Sequence, residues 1–415
     1  MPTPSASAVP RSDRRARVAV AVLFFTNGAL FANLVPRYPE IKADLGLSNA
    51  LYGLSVAAFP TGAIVAGLGA SALIRRFGSA RVAVGGTWCA AVALLVAAIL
   101  PSAPGFAAAL LVAGAMDAIT DVAQNAHGLR VQRRYRRSIL NSFHAVWSVG
   151  AVTGGAMAAG AIALDLPRGT HLAISTVVLS LVALAASRFC LPGAETDQTA
   201  PGHRGTDGHA PGRRIRVGAS TIVLIGALVL IASAGSVVED AGSSWATLYL
   251  SDSLGAAAAV ASFGFIAVVG AQFVGRLLGD RLVDRFGQRA VARAGGVLVA
   301  VGMGSALAVP TIPGTMVGLA AAGLGIATLV PAAMHAADEI PGLRPGTGLT
   351  VLSWLMRLGF LLSPPVVGAI ADATSLRAGL LVVPVAGLAV VLLAGVLAGR
   401  ARPSVSSPAA AATLT

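Results

Sequence analysis

The sequence predicts an all-α membrane protein of twelve transmembrane spans, and three observations predict it. Apolar runs near twenty residues recur along the whole chain, the length a helix needs to cross a hydrocarbon layer roughly 30 Å thick. The chain is 56% hydrophobic and only 11% charged, where a soluble domain carries about a quarter charged residues. The charges stand mostly between the apolar runs. A chain in lipid must satisfy its own backbone, so such runs read as helices. The net charge of +13 does not indicate a nucleic-acid partner, because the arginines flank apolar runs and build no basic domain.

Residues 1–17 are expected to form a disordered tail. RSDRRAR followed by residues 18–36 resembles a signal peptide, but no small-residue cleavage site follows and the chain continues into Pro36-Arg37-Tyr38. The stretch is therefore read as the first span. The spans are placed at 18–36, 49–73, 81–100, 105–128, 140–163 and 170–190, then at 218–244, 257–279, 289–309, 313–337, 346–371 and 378–399. They group into an N-terminal bundle (18–190) and a C-terminal bundle (218–400). Residues 191–217, rich in Gly, Pro and Thr, read as a cytoplasmic linker in which His203 and His209 are solvated. Residues 401–415 form a second low-complexity tail. Cys89 and Cys190 read as packed small residues with no disulfide. No Cys/His ligand spacing, Gly-x-Ser-x-Gly or P-loop occurs. Metal, cofactor, enzyme and ATP-driven pump readings all lose support on that ground.

Placing the N-terminus in the cytoplasm puts 24 of the 30 Lys/Arg in cytoplasmic segments. Both termini are therefore expected there, with the chain in the inner (plasma) membrane. Trp245 and Tyr249 then fall at the outer interface, where amphipathic rings are favoured. The halves echo each other: Arg76-Phe77-Gly78 and Arg285-Phe286-Gly287 are 209 residues apart, and Gly154-Gly155 and Pro364-Pro365 recur at nearly that offset. Two such halves match a transporter built from parallel repeats.

Chemistry concentrates in residues 114–137. Asp117, Asp121, Gln124 and Asn125 (offsets 0, 4, 7 and 8) share one helical face, ahead of Arg130, Arg133, Arg134, Arg136 and Arg137. Counting back from Arg130, Asp121 lies roughly 13 Å into the layer. A carboxylate at that depth is costly, which argues for function, and it can shuttle a proton. The ordinary alternative is a salt bridge or an inter-helix hydrogen bond. Asp117, one turn away, favours sharing one proton with it. His144 lies roughly 10 Å into span 5 and could complete an Asp–His relay, or simply cap a backbone group. His127 and His335 read as interfacial. Glu239 stands in the outer part of span 7, while Asp240 points elsewhere and reads as a solvated helix end. Asn27, Asn33 and Thr328 offer neutral hydrogen bonds to a polar ligand or to neighbouring helices. Arg357, roughly 17 Å into span 11, needs an acidic partner or an anionic ligand. The alternative is a permanent bridge to Asp117 or Glu239. Arg276, Asp280 and Asp284 share a face of span 8, and with Arg285, Arg289 and Arg76 they read as a cytoplasmic charge lock. Gly150-x-x-x-Gly154 reads as a close helix crossing.

These motifs resemble the major facilitator superfamily over nearly the whole chain. GDRLVDRFGQR (279–289) is similar to its cytoplasmic motif, with the glycine one position early; the first copy has Arg75 at the acidic position and Ser71 for the glycine. DVAQNA (121–126), NSFHAVWSVG (141–150), Glu239 followed by WATLYL (245–250), GRLLGDRL (275–282) and GFLLSPP (359–365) resemble its bacterial YbjJ-type branch. The chain departs from that pattern at Arg357, where an aromatic residue is expected, and at Ser244, where an aspartate is expected. Gly155 replaces the proline of an antiporter signature. The resemblance implies secondary transport of a small organic solute by alternating access, with spans 1, 4, 7 and 10 lining the path. In this reading Asp121, Asp117 and His144 carry a coupling proton, with sodium left open. Arg357, Glu239, Asn125, Gln124, Asn33, Asn27 and Thr328 contact the solute. Export is favoured by sparse path residues and apolar walls, and the low aromatic content (5%) disfavours a sugar. The protein is expected to be a monomer. Rival readings are a proton symporter for an anionic metabolite, which Arg357 would explain, and more remotely a sensor or a membrane-embedded enzyme.

Overall fold

The computed structural model describes residues 10–135, 139–193, 218–340, 343 and 346–397. Nearly all of the expected linker and the whole C-terminal tail, with Arg136 and Arg137, lie outside the described residues. Twelve helices among the described residues are long and apolar enough to cross a membrane. Spans 1 to 6 are Arg11–Asp44, Asn49–Gly67, Ser79–Ile99, Ala103–Tyr135, Leu140–Ala163 and Arg168–Ser187. Spans 7 to 12 are Ala219–Ser253, Ala258–Phe286, Gln288–Ala308, Ile312–Asp338, Thr347–Ala373 and Leu376–Val396.

Helix ends differ from the expected ones where polar partners extend a helix beyond its apolar run. The first helix starts at Arg11, so residues 11–17 belong to span 1 and not to a tail. Asp13 in its first turn complements the helix dipole and pairs with Arg134 at 3.0 Å. Span 4 runs 33 residues to Tyr135, about 50 Å of helix, and Asp117 lies near its middle. Span 10 breaks at Ala327–Thr328 and span 11 at Met356. Pro364 and Pro365 inside span 11 remove two backbone donors. Such irregular backbone is tolerated at membrane depth where protein or a cavity covers it.

Within the first half, span 1 crosses span 5 closely. A Cβ on Gly150 would meet Phe25 O at 2.3 Å or less, and one on Gly154 would meet Ala29 O at 2.3 Å, so the small-residue motif permits backbone contact. The end of the bundle holding the start of span 1 and the end of span 12 is termed the tail end. There Arg130 donates to Pro192 O, and Arg289 Nε donates to Leu397 O at 3.1 Å. At the opposite, far end, Arg37 pairs with Glu40, Arg168 with Glu40 and Asp44, and Arg377 donates to Ala308 O.

The two halves meet chiefly at the far end. Asp372 of span 11 accepts from the Asn49 and Ala50 N–H groups, both at 2.8 Å, capping the first turn of span 2 across the interface. Tyr52 donates to Ser244 O at 2.7 Å and stands edge-on to Trp245 at 4.9 Å. Lys42 lies 3.9 Å from Asp252. Trp245 and Tyr249 are 0% and 1% exposed. This corrects their expected place at the lipid interface: the Trp245 ring packs on Tyr52 in the seal between the halves, and Tyr249 is buried inside the protein. Toward the tail end, among the described residues, only a 3.5 Å contact from Arg276 to Ser148, at mid-depth, joins the halves by a polar bond. Removing the Asp372 cap by Asp372→Ala should therefore favour opening of the far end. A helix cap contributes about 1 kcal/mol, so a several-fold gain in the far-open population is expected, read by distances between spin labels on spans 2 and 11.

Candidate functional site

A cavity of about 320 Å³ lies between the halves above the far-end seal. Its walls are mostly apolar and strongly aromatic, with Phe31, Phe59, Trp147, Phe265, Phe360 and Tyr38 among them. The chain is poor in aromatic residues overall, but it concentrates them here. Charge enters from three helices: Asp117 of span 4, Glu239 and Asp240 of span 7, and Arg357 at the break of span 11.

Each charge has a distinct environment. Asp117 accepts from Asn27 Nδ2 at 2.8 Å, and Asn27 Oδ1 accepts from Trp147 Nε1 at 2.7 Å. That chain ties spans 4, 1 and 5 together and fixes the carboxylate toward the cavity. Glu239 accepts from Gln272 Nε2 at 2.8 Å and lies 4.0 Å from Arg276. Arg357 lines the cavity and, among the described residues, has no carboxylate within 4.0 Å. The permanent bridge to Asp117 or Glu239 considered above is thus absent from this conformation. Asp121 is exposed one turn nearer the tail end than Asp117, where the charges of His144 and Arg357 reach it. Asn125 donates to the Asp121 carboxylate at 2.9 Å. His144 is exposed, with its ring edge-on to Phe24. Asp121, one turn toward the tail end from the cavity-lining Asp117, thus lies within electrostatic reach of His144 and of the cavity-lining Arg357, and this tail-side region is termed the mouth.

Several candidates are placed elsewhere. Gln124 is buried and donates to Leu23 O at 2.9 Å. It locks span 4 to span 1, because the shared face is wide enough for one edge to meet the neighbouring helix. Asn33 is 1% exposed, donates to Ala29 O, and accepts from His171 Nε2 at 2.9 Å and Ser175 Oγ at 3.1 Å. Its polar capacity is spent inside the first bundle. Asn33→Ala would orphan two buried groups, each costing about 1–3 kcal/mol. The expected result is a lower melting temperature of the purified protein with an unchanged KM for transport. Thr328 sits at the break of span 10 with its methyl group against Gly279 of span 8, so it faces a helix contact.

The residues expected to form a charge lock are not paired with one another here. Arg276 turns toward Glu239 and Ser148 instead of Asp280. Asp280 and Asp284 are exposed without an ion pair among the described residues. Arg285 stacks on Phe286, Arg76 on Phe77, and Arg289 caps Leu397 O. His127 is buried rather than interfacial: its Nε2 accepts from Leu191 N at 3.1 Å, and its Nδ1 pairs with Ser79 Oγ at 2.9 Å. His335 is exposed, 3.5 Å from Glu339.

Sequence reasoning missed Asp240 and Asp372. Asp240 lines the cavity, accepts from Ser244 Oγ at 3.3 Å, and is no solvated helix end. Its position directly after Glu239 suggested the opposite face, but the cavity reaches down to the seal and touches both. Ser244, noted as a departure from pattern, was the available signal.

Comparison with known proteins agrees with this architecture. The family model described as Major Facilitator Superfamily matches residues 20–281 and 222–414. The membrane protein MosC of Rhizobium meliloti is 28% identical over 390 residues, covering 94% of this chain and 92% of its own. The solved nucleoside transporter NupG superposes with a TM-score of 0.71 at 13% identity, over 92% of this chain and 97% of its own. A D-xylose–proton symporter gives 0.68 at 16% identity, over 91% and 96%. With twelve spans in two halves around a charged central cavity, the chain belongs to the Major Facilitator Superfamily.

Proposed function

We propose that this transporter is a proton-coupled carrier of a small organic solute, alternately opening its central cavity to each side of the membrane. The observation that carries the reading is one cavity, ringed by charges from spans 4, 7 and 11, between halves bonded chiefly at one end. Asp121, with Asp117 and His144, is the coupling group. Arg357 orients the solute, Asn27 and Gln272 hold the flanking carboxylates of Asp117 and Glu239 in place, and Asn125 supports Asp121. With both termini in the cytoplasm of the inner membrane, as the arginine distribution favours, the present conformation faces inward. The charge lock of Asp280, Asp284, Arg285, Arg289 and Arg76 then closes in the outward-facing state. The motifs from DVAQNA to GFLLSPP support placement in the YbjJ-type branch.

A proton is favoured over sodium because the mouth pairs a carboxylate with an imidazole, both titratable, whereas a hard cation prefers a cluster of oxygens. The solved relative of the same fold named as a D-xylose–proton symporter is consistent with this. Apolar walls support export of the solute. The second reading, proton-driven uptake of an organic anion, is favoured by Arg357, which has no carboxylate partner among the described residues. The test uses the full chain in liposomes with a trapped pH dye, challenged in turn with organic acids, amines and sugars. Solute-dependent proton movement unaffected by replacing sodium is expected. Movement that requires sodium would overturn the coupling assignment.

A further inference from the structure

Counting which polar groups in the cavity are already satisfied narrows the solute. Asp117 is held by Asn27, and Glu239 by Gln272 and Arg276. The Tyr52 hydroxyl is spent on Ser244 O. Apart from the Ser243 hydroxyl, which lines the cavity without a hydrogen bond among the described residues, three groups remain. Arg357 has no hydrogen bond or ion pair among the described residues, while Asp240 Oδ2 and the Tyr38 hydroxyl are buried with no hydrogen-bond partner. Tyr38 and Asp240 both line the cavity at the seal, within electrostatic reach of each other. An unmade buried hydrogen bond is costly, so a ligand gains most by completing these groups.

The vacant groups are opposite in kind and separated in space. Arg357 offers only donors and a positive charge, and its planar fork matches a carboxylate. Asp240 Oδ2 offers an acceptor, and Tyr38 can accept or donate. Ser363 is a second polar neighbour of Asp240 beside Ser244, but its hydroxyl hydrogen is donated to Val237 O at 3.5 Å; it follows Arg357 by six residues of the same span, about 9 Å along a helix axis. The same cavity is walled by Phe31 and Phe59, with ring centroids 4.8 Å apart, and by Phe360 and Trp147. Flat apolar walls of this kind favour a ring.

We infer that the solute is a bipolar, ring-bearing organic acid: Arg357 holds its anionic group, the aromatic walls hold its ring, and Asp240 with Tyr38 holds a hydroxyl or amino donor at its other end. This deepens the carrier reading of the same cavity and rests on it for the site.

Binding of three probes to the purified full-length protein tests the inference by calorimetry: 3-(4-hydroxyphenyl)propionate, 3-phenylpropionate lacking the hydroxyl, and 4-ethylphenol lacking the acid. The hydroxy acid should bind at least about tenfold more tightly than either truncated probe. Asp240→Ala should bring it to the level of 3-phenylpropionate, whose own affinity is unchanged, and Arg357→Gln should bring it to the level of 4-ethylphenol. Tyr38→Phe removes one oxygen only. It should lower affinity for the hydroxy acid alone, which keeps the test decisive if Asp240→Ala does not fold. Equal binding of the three probes overturns the inference, as does discrimination that survives both seal variants. Failure to bind the hydroxy acid by protein that moves protons with another solute overturns the bipolar class and leaves the carrier reading standing. Tight, Asp240-dependent binding without transport upholds the inference and overturns the carrier reading.

Discussion

Gly53→Val is expected to hold the transporter open at its far end and to slow net transport sharply. A Cβ on Gly53 would lie 2.2 Å from Pro364 O and 2.7 Å from its carbonyl carbon. Both are backbone atoms, and a proline follows on span 11, so the backbone there has little freedom to retreat. One turn away along each helix, Gly368 makes the matching approach, with its Cβ position 2.3 Å from Asn49 O. Closing the seal over a new side chain would pull Asp372 off its two 2.8 Å bonds to Asn49 and Ala50. Overpacking costs about 1–3 kcal/mol, so closure should become about five- to 150-fold rarer. Spin-label distances across spans 2 and 11 would report this directly. Gly160→Val is the control, because no atom lies within 4 Å of its Cβ position, and it should leave both the distances and transport intact.

Asp121→Asn is expected to uncouple solute movement from protons without emptying the cavity. The carboxylate is exposed at the mouth, receives the 2.9 Å bond from Asn125, and feels His144 and Arg357. An amide keeps the shape and the acceptor oxygen but cannot carry a proton. Loss of a placed proton-transfer group typically costs 10²- to 10⁴-fold, so proton flux driven by a solute gradient should fall by about a hundredfold or more. Exchange of labelled for unlabelled solute should persist. Asp117 is bonded within the Asn27–Trp147 chain and is less free to turn over protons, so Asp117→Asn should weaken coupling and solute affinity together. Coupled flux within twofold of the native protein in Asp121→Asn would remove Asp121 from the coupling role.

What was legible in the sequence follows from what is costly in a membrane. Twelve apolar runs of sufficient length can be little else, so span number and the two-half arrangement were readable. Helix ends were not, because pairs such as Asp13–Arg134 extend helices with residues no hydropathy argument would include. Asp117, Glu239, Arg357 and Asn27 could be picked out because a charge or amide inside an apolar run demands a partner or a cavity. Gln124 and Asn33 carried the same signal and found partners in Leu23, Ala29, His171 and Ser175. A helical face alone does not say which neighbour covers it. Trp245 and Tyr249 were read by a rule for lipid boundaries, but Trp245 packs against the other half of the protein and Tyr249 is buried. Asp372 drew no reading from the sequence. Only three-dimensional proximity to Asn49, more than 300 residues away in sequence, identifies it as a latch.

The central claim is that one cavity is reached in turn from both sides. Ala63 lines that cavity, and Cys89 and Cys190 are free thiols that Cys89→Ser and Cys190→Ser would remove. In that background, Ala63→Cys should react with a membrane-impermeant thiol reagent from the tail side in the resting protein, and from the far side once solute and a proton gradient are supplied. Labelling from one side only under every condition, or from neither, would contradict alternating access.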